Sequence, residues 1–311
     1  MKENSQISTL AIIQAQQLVE QGLPQEALLL LKGELKKNPN SRLVLYHLGL
    51  TCRALNDFKE AEEFYLKALT SKDDENVVFP NLKGYQFMGA PEDVIYCQLG
   101  IVYQLKEEYE KSIGALETAL KLNKDYLNAY NSLAITYRKK GDLNRVIEIY
   151  DVGIDRLFHS VCGRMNNVLE NKRVGFIGYK TENRLWLNKA LEVLLFFVCK
   201  DNIEHLSWTT GEQAEKYYAS DEDGYGGLLF IDYPESKTRF MLPNYLDTFY
   251  ESLKSTVDYS FLLNNKARTL AELGRISEAR QLLEESIEFI PQGYDFKEPY
   301  LALIELDNKL E

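Results

Sequence analysis

The chain has 311 residues, 45% of them apolar and 27% charged, which excludes a disordered or collagen-like protein and predicts a soluble globular chain with a sizeable core. Its 36 basic and 47 acidic side chains give a net charge of −11, which disfavours binding to nucleic acid or to an anionic membrane surface. The four cysteines form no C-x-x-C pair, so the sequence predicts neither a disulfide framework nor a zinc site. A reducing, cytoplasmic setting is expected. No membrane span is expected either, because a transmembrane helix needs about 20 apolar residues and the longest apolar run, Val193 to Cys199, is far shorter.

One spacing of residues recurs five times along the chain. In each copy a Gly or Ala is followed seven residues later by a turn residue, and five residues after that by a small or β-branched residue. The copies run through Ala15, Gly22 and Ala27; Gly49, Asn56 and Ala61; Gly100, Glu107 and Ser112; Ala134, Gly141 and Val146; and Ala267, Gly274 and Ala279. A fixed register of this kind indicates a repeat protein.

Each copy predicts a pair of helices. In the second copy, Leu45, Leu48 and Cys52 recur at helical spacing, and Ala61 and Tyr65 do so again after a break. The small residues are expected where the two helices cross, since they allow the backbones to approach closely. We therefore place repeat units at 8–41, 42–75, 93–126, 127–160 and 260–293.

Two stretches interrupt the series. Residues 76–92 contain Pro80, Gly84, Gly89 and Pro91, which predict a loop insert. This loop is expected either to fold over a neighbouring unit or to reach into the groove described below.

Residues 161–259 form the larger interruption, an irregular insert of helices plus a small β-hairpin near 228–242. Two β-prone runs flank the turn signal at 234–237, and a helix is expected from Asn244 to Lys254. Since a lone hairpin is marginal in water, it is expected to lean on neighbouring helices or on a partner. Asp221 to Asp232 matches a calcium-binding loop at only some positions, so no metal site is assigned.

A final helix is expected within 294–311. It is interpreted as a cap that covers the last repeat, as repeat arrays require. Self-association through Leu303, Leu306 and Leu310 is the alternative.

The pattern within the best copies resembles the tetratricopeptide repeat (TPR) family. These copies carry Leu45, Leu48, Gly49, Phe58, Ala61, Tyr65 and Ala68, and Tyr96, Leu99, Gly100, Tyr103, Tyr109, Leu116 and Ala119. The resemblance implies an all-α fold, a right-handed superhelix of antiparallel helix hairpins (an α-solenoid), with the hairpin-containing insert before the last repeat.

The resemblance also implies a concave groove lined by the first helix of each unit. Its expected lining combines apolar residues that suit an apolar peptide anchor with Asn and Arg side chains that suit a peptide backbone or a carboxylate. The predicted groove residues are Ile12, Gln16, Leu43, Tyr46, Leu50, Arg53, Cys97, Ile101, Gln104, Asn128, Asn131, Ile135, Arg138, Asn264 and Arg268. A composition that reflects packing alone is the alternative.

The sequence contains no HExxH, GxSxG, kinase or phosphate-loop motif, so no catalytic residue, cofactor or metal is assigned. The predicted function is a non-catalytic adaptor or assembly scaffold that binds another protein or a peptide, without nucleic acid or membrane insertion. A ligand-sensing or enzymatic element carried by the 161–259 insert is the alternative, and the oligomeric state is open.

Overall fold

The computed structural model describes residues 2–71, 90–166, 173–178, 206–208, 227–233, 238–242 and 245–308, with side chains at 10–71, 90–161 and 249–308. The chain divides into two compact units, Met1–Ile149 and Tyr150–Glu311.

The first unit is built from helices that pack in chain order. They are α1 (Lys2–Glu20), α2 (Pro24–Lys37), α3 (Arg42–Ala54), α4 (Phe58–Thr70), α5 (Glu92–Leu105), α6 (Tyr109–Leu122), α7 (Leu127–Lys140) and α8 (Leu143–Asn166), the last of which continues into the second unit. Each helix from α1 to α6 contacts the next along the chain. The first helices of successive hairpins, α1, α3, α5 and α7, also contact one another in turn, so together they form one layer of the unit.

Local sequence signals set the helix starts. The Ser41 hydroxyl accepts a hydrogen bond from the Val44 backbone N–H, and the Asp57 carboxylate accepts one from the Glu60 N–H. Both side chains satisfy a backbone donor that has no partner within the first turn of its helix. Pro24 begins α2, where its fixed φ and missing N–H carry no penalty.

The turns between paired helices share one backbone conformation. Gly22, Asn56, Glu107, Gly141 and Gly274 occupy equivalent places in the five copies, and all five have a φ between +61° and +84°. The three glycines adopt this left-handed conformation at no steric cost. Asn56 and Glu107 adopt the same conformation with a Cβ atom, which is a less favourable choice.

The predicted close approach of paired helices is confirmed at two glycines. A Cβ atom at Gly49 would lie 2.4 Å from the Tyr65 ring, and one at Gly100 would lie 2.6 Å from Leu116 Cγ. Both distances are far below ordinary van der Waals contact, so only glycine fits at these crossings.

Arg42 joins the two sides of the first insert. Its buried guanidinium donates to the carbonyl oxygens of Ala68 (Nε, 3.1 Å) and Ser71 (Nη2, 2.8 Å), and Nη2 lies 3.6 Å from a carboxylate oxygen of Glu92. Residues 76–89 of the predicted loop lie outside the described residues, whereas Ala90 is buried and α5 begins at Glu92.

The second unit contains α9 (Tyr245–Lys254), α10 (Asp258–Glu272), α11 (Ile276–Glu288) and α12 (Glu298–Asp307). Its core is aromatic: the Phe158 ring lies 5.4 Å from Phe249 and 5.2 Å from Tyr259, and Tyr259 lies 4.9 Å from Phe289. Edge-on and tilted geometries such as these are the favourable ones for aromatic pairs. Helix α12 packs on α10 and α11 through a buried stripe that includes Leu306, as a capping helix should.

A mixed β-sheet lies in the 161–259 insert. Its strands are β1 (Arg173–Gly178), β2 (Leu206–Trp208), β3 (Gly227–Tyr233) and β4 (Thr238–Leu242), in the order β2-β1-β3-β4. β1 is parallel to β2 and antiparallel to β3, which is antiparallel to β4 in a register that pairs Phe230 with Met241. The insert therefore holds a four-stranded sheet rather than the lone two-stranded hairpin that the sequence predicted. The sequence showed only the local pairing, because the partner strand β1 lies about 50 residues earlier in the chain.

Candidate functional site

The fifteen predicted groove residues differ widely in exposure. Five are buried: Ile12, Leu43, Cys97, Gln104 and Asn264. Seven are partly exposed: Gln16, Tyr46, Leu50, Arg53, Ile101, Asn131 and Arg138. Three are exposed: Asn128, Ile135 and Arg268. In this structure the buried five present little accessible surface to a ligand, so the candidate surface is drawn from the remaining ten.

The buried residues have structural roles in packing and hydrogen bonding. Ile12 and Leu43 belong to the hydrophobic core of the first hairpins. Gln104 of α5 donates through Nε2 to the Ser132 carbonyl oxygen (3.2 Å) and to the Thr136 hydroxyl (3.0 Å), and Thr136 also hydrogen-bonds Ser112 of α6 at 3.0 Å. This buried network links α5, α6 and α7, so Gln104 fixes the helix layer instead of facing a groove.

Arg53 is the central cation of the candidate surface. Its Nε atom is buried without a hydrogen-bond partner, and among the described side chains the guanidinium has no ion pair. Burial raises the pKa of Tyr46 to about 12 and raises that of Tyr65 further. The positive charge of Arg53 lies close enough to both tyrosines to oppose this rise. The Tyr65 hydroxyl is also buried without a hydrogen-bond partner. A partly exposed arginine without an ion-pair partner is suited to a ligand that brings acceptor oxygens.

Tyr126 connects this cation to the next pair of helices. It lies near Cys97, Tyr46 and Asn128, and burial raises its pKa, with Cys97 and Tyr46 adding to the rise. The structure thus brings Tyr46, Arg53 and Cys97 together with exposed Asn128. The sequence did not point to Tyr126, because this residue lies at the end of the unit at 93–126, one residue before the unit at 127–160 begins. The family pattern gives no signal at that place.

Helix α7 extends the surface away from Arg53. Asn131 and Arg138 are partly exposed on this helix, and Ile135 between them is 36% exposed. Asn264 and Arg268 belong to the second unit, where Asn264 is buried with its Oδ1 unpartnered and Arg268 is exposed. The candidate surface described here is therefore confined to the first unit.

The titratable groups beneath the surface are neutral. Burial lowers the pKa of His47 to about 4 and raises the pKa of Cys97 to about 11 and that of Cys52 to about 12. Both thiols are protonated at neutral pH, and a thiol in that state is a poor nucleophile.

Within the described ranges, no cluster of three or more His, Cys, Asp and Glu side chains is placed to hold a metal ion. The end of the calcium-like stretch, residues 227–232, lies in β3. No helix in the described part of the chain is long and apolar enough to cross a membrane.

Tetratricopeptide repeat family models match three separate parts of the chain, at residues 14–76, 94–126 and 262–290. The chain contains tetratricopeptide repeats. The first two matched segments cover the hairpins that carry Tyr46, Arg53 and Ile101, so this part of the candidate surface lies within TPR sequence. No match was found among curated proteins.

Solved TPR structures resemble the chain at low identity. MamA 41-end from Desulfovibrio magneticus RS-1 is 20% identical, with 63% of this chain and 98% of that chain covered and a TM-score of 0.37. YrrB, described as a TPR protein with an unusual peptide-binding site, is 18% identical, with coverages of 62% and 89% and a TM-score of 0.37. PilW, a type IV pilus biogenesis factor, is 14% identical, with coverages of 71% and 82% and a TM-score of 0.41.

Proposed function

We propose that this TPR protein is a non-catalytic adaptor or assembly scaffold that holds a peptide or helical segment of a partner protein against the layer formed by α1, α3, α5 and α7. The observation that carries the proposal is Arg53, a partly exposed cation close to Tyr46 and Tyr65 that has no ion-pair partner among the described side chains. A partner's carboxylate or backbone carbonyl would pair with its guanidinium.

The proposed contact set combines polar and apolar groups from three helices. Tyr46 and Arg53 come from α3, Ile101 from α5, and Asn128 and Ile135 from α7. The amide group of Asn128 can pair with a peptide backbone, while Ile101 and Ile135 offer apolar contacts.

The repeat units are proposed at the boundaries given by the sequence pattern, as two pairs in the first 160 residues and one unit at 260–293. A cytoplasmic setting is proposed from the two free, buried cysteines.

Site-specific photocrosslinking tests the surface without needing a known partner. A benzophenone amino acid placed at Asn128 reports contacts at the proposed surface, and the same group at Leu122, which is 53% exposed at the end of α6, is the matched control. After irradiation in the native cell, position 128 is expected to yield a crosslinked protein that is absent or much weaker from position 122.

Recovery of that crosslinked protein is then compared for wild type, Arg53→Glu and Leu122→Glu. The Arg53 change is expected to reduce recovery about tenfold or more, because it reverses the charge that binds the acceptor. Equal recovery from the two charge-introducing variants, or equal crosslinking from both positions, would contradict binding at this surface.

A further inference from the structure

A second candidate surface lies at the last turns of α2 and α4, away from the residues of the candidate groove. An open cleft of about 620 Å³ is present there. Leu35 and Phe64 are among its apolar lining residues, and Lys32, Lys36 and Lys67 lie around it. None of the lining residues is acidic, although the whole chain has a net charge of −11.

Two of the three lysines are available to a ligand. Lys32 pairs with Glu60 at 2.7 Å, so its charge is already neutralised. Lys36 and Lys67 are exposed, and neither has an ion-pair partner among the described side chains. The Lys67 ammonium lies 5.6 Å from the centre of the Phe64 ring, which places a positive charge directly beside the apolar part of the cleft.

Lysines often occur at helix C-termini because they offset the partial negative charge of the last carbonyls. Here some of those carbonyls have other partners. Arg42 binds the carbonyl oxygens of Ala68 and Ser71 at the end of α4. At the end of α2, the Asn38 backbone N–H donates to the Glu34 carbonyl oxygen, and the Glu34 carboxylate accepts from Lys37 and Asn38. The charges of Lys36 and Lys67 therefore remain for an external group.

One exposed apolar side chain lies on α2 beyond the residues that line the cleft. Leu29 is 73% exposed and lies two helical turns before Lys36, on the same face. Gly33 lies between them, and a Cβ atom there would have no neighbour within 4 Å. A ligand can thus contact the helix closely between an apolar side chain and a cation. A free phosphate would use only the cations, whereas a peptide would use both.

We propose that this cleft docks an acidic segment of a partner protein, with a large apolar side chain placed over Leu35 and Phe64 and flanking carboxylates paired with Lys36 and Lys67. The charge complementarity and the apolar lining both favour this ligand chemistry. The proposal is independent of the groove, because none of these residues belongs to the candidate surface around Arg53.

The test uses the full chain and a fluorescent synthetic peptide, Glu-Asp-Glu-Phe-Leu-Asp-Glu-Gly, in anisotropy titrations. One control peptide replaces the acidic residues with Gln and Asn, and another replaces Phe and Leu with Ser. The protein variant Lys36→Glu/Lys67→Glu reverses the two free charges. The matched control is Lys121→Glu/Lys124→Glu, which makes the same charge change at two exposed lysines at and just after the end of α6. Circular dichroism melting verifies that each variant is folded.

We expect the acidic peptide to bind the wild type with an affinity that falls as the salt concentration increases. Its affinity for the double variant should be lower by about tenfold or more. Both control peptides should bind more weakly than the acidic peptide, and Lys121→Glu/Lys124→Glu should behave like wild type. Equal affinity of the double variant, or equal affinity of either control peptide, would overturn the proposal.

Two further outcomes would overturn it in favour of another ligand. The first is binding of anionic lipid vesicles or of duplex RNA that depends on Lys36 and Lys67 while the peptide fails to bind. The second is peptide binding seen only after Asp73, Asp74 and Glu75 are neutralised to Asn, Asn and Gln, because the occupant would then be this chain's own acidic sequence.

Discussion

Replacing Gly49 by alanine tests whether helix hairpins in this protein depend on close backbone approach. The new Cβ atom would lie 2.4, 2.7 and 2.8 Å from three atoms of the Tyr65 ring, compared with an ordinary contact of about 3.5–4.0 Å. Tyr65 is fully buried, so its ring has to move by about 1 Å within a packed core. Overpacking of this kind costs about 1–3 kcal/mol, and the better helix propensity of alanine returns about 0.5–1 kcal/mol. The expected net loss is about 1 kcal/mol, within a range of about 0–2.5 kcal/mol.

Gly33→Ala is the matched control, because it makes the same change in a helix where the new Cβ atom meets nothing within 4 Å. This control is expected to stabilise the protein by about 0.5–1 kcal/mol. Equilibrium urea unfolding measures both changes. A cycle with Tyr65→Leu isolates the contact, since Gly49→Ala should cost less once the ring is absent. If Gly49→Ala stabilises the protein as much as Gly33→Ala, or shows no coupling to Tyr65, the packing argument is refuted.

Other predictions concern buried polar groups and backbone strain. Burial lowers the pKa of His47 to about 4 in the folded protein, from 6.5 in the unfolded chain. The unfolded chain therefore takes up a proton first as pH falls. The free energy of unfolding should decrease by about 2 kcal/mol between pH 7 and 5. His47→Gln should flatten that dependence in urea titrations at several pH values. Thr136→Val removes the hydroxyl that joins Gln104 to Ser112 and should cost about 1–3 kcal/mol in the same assay, whereas Tyr65→Phe deletes an unpartnered hydroxyl and should be nearly neutral. Glu107→Gly relieves a φ of +62° and should increase the free energy of unfolding by up to about 1 kcal/mol, which is measured as a slightly higher thermal midpoint.

The repeat pattern allowed much of the helical architecture to be predicted, because its constraints are local. A left-handed turn and a helix crossing both depend on residues close in sequence, and Gly22, Gly49 and Gly100 signal them directly. The family assignment follows from the same residues. The extent of the sheet could not be predicted in this way, since the pairing of β1 with β3 joins residues about 50 positions apart.

The candidate site was predicted less well than the fold. Family geometry assigns positions to a face, but it does not say how deeply each side chain is covered by neighbouring helices. Cys97 and Gln104 lie at groove positions and are nevertheless buried, because the adjacent first helix α7 packs against α5 and supplies Ser132 and Thr136. Tyr126 joins the surface from the connection before α7, where the family pattern gives no signal.

The contacts of Arg42 have an evolutionary consequence. One guanidinium holds Ser71 and Glu92, the residues at which the helical frame stops and resumes. The two ends of the helical frame are therefore held by a side chain that lies outside the stretch joining them. The stacking of α4 on α5 has a support that does not depend on the sequence between Ser71 and Glu92, which leaves natural variation in that stretch less constrained.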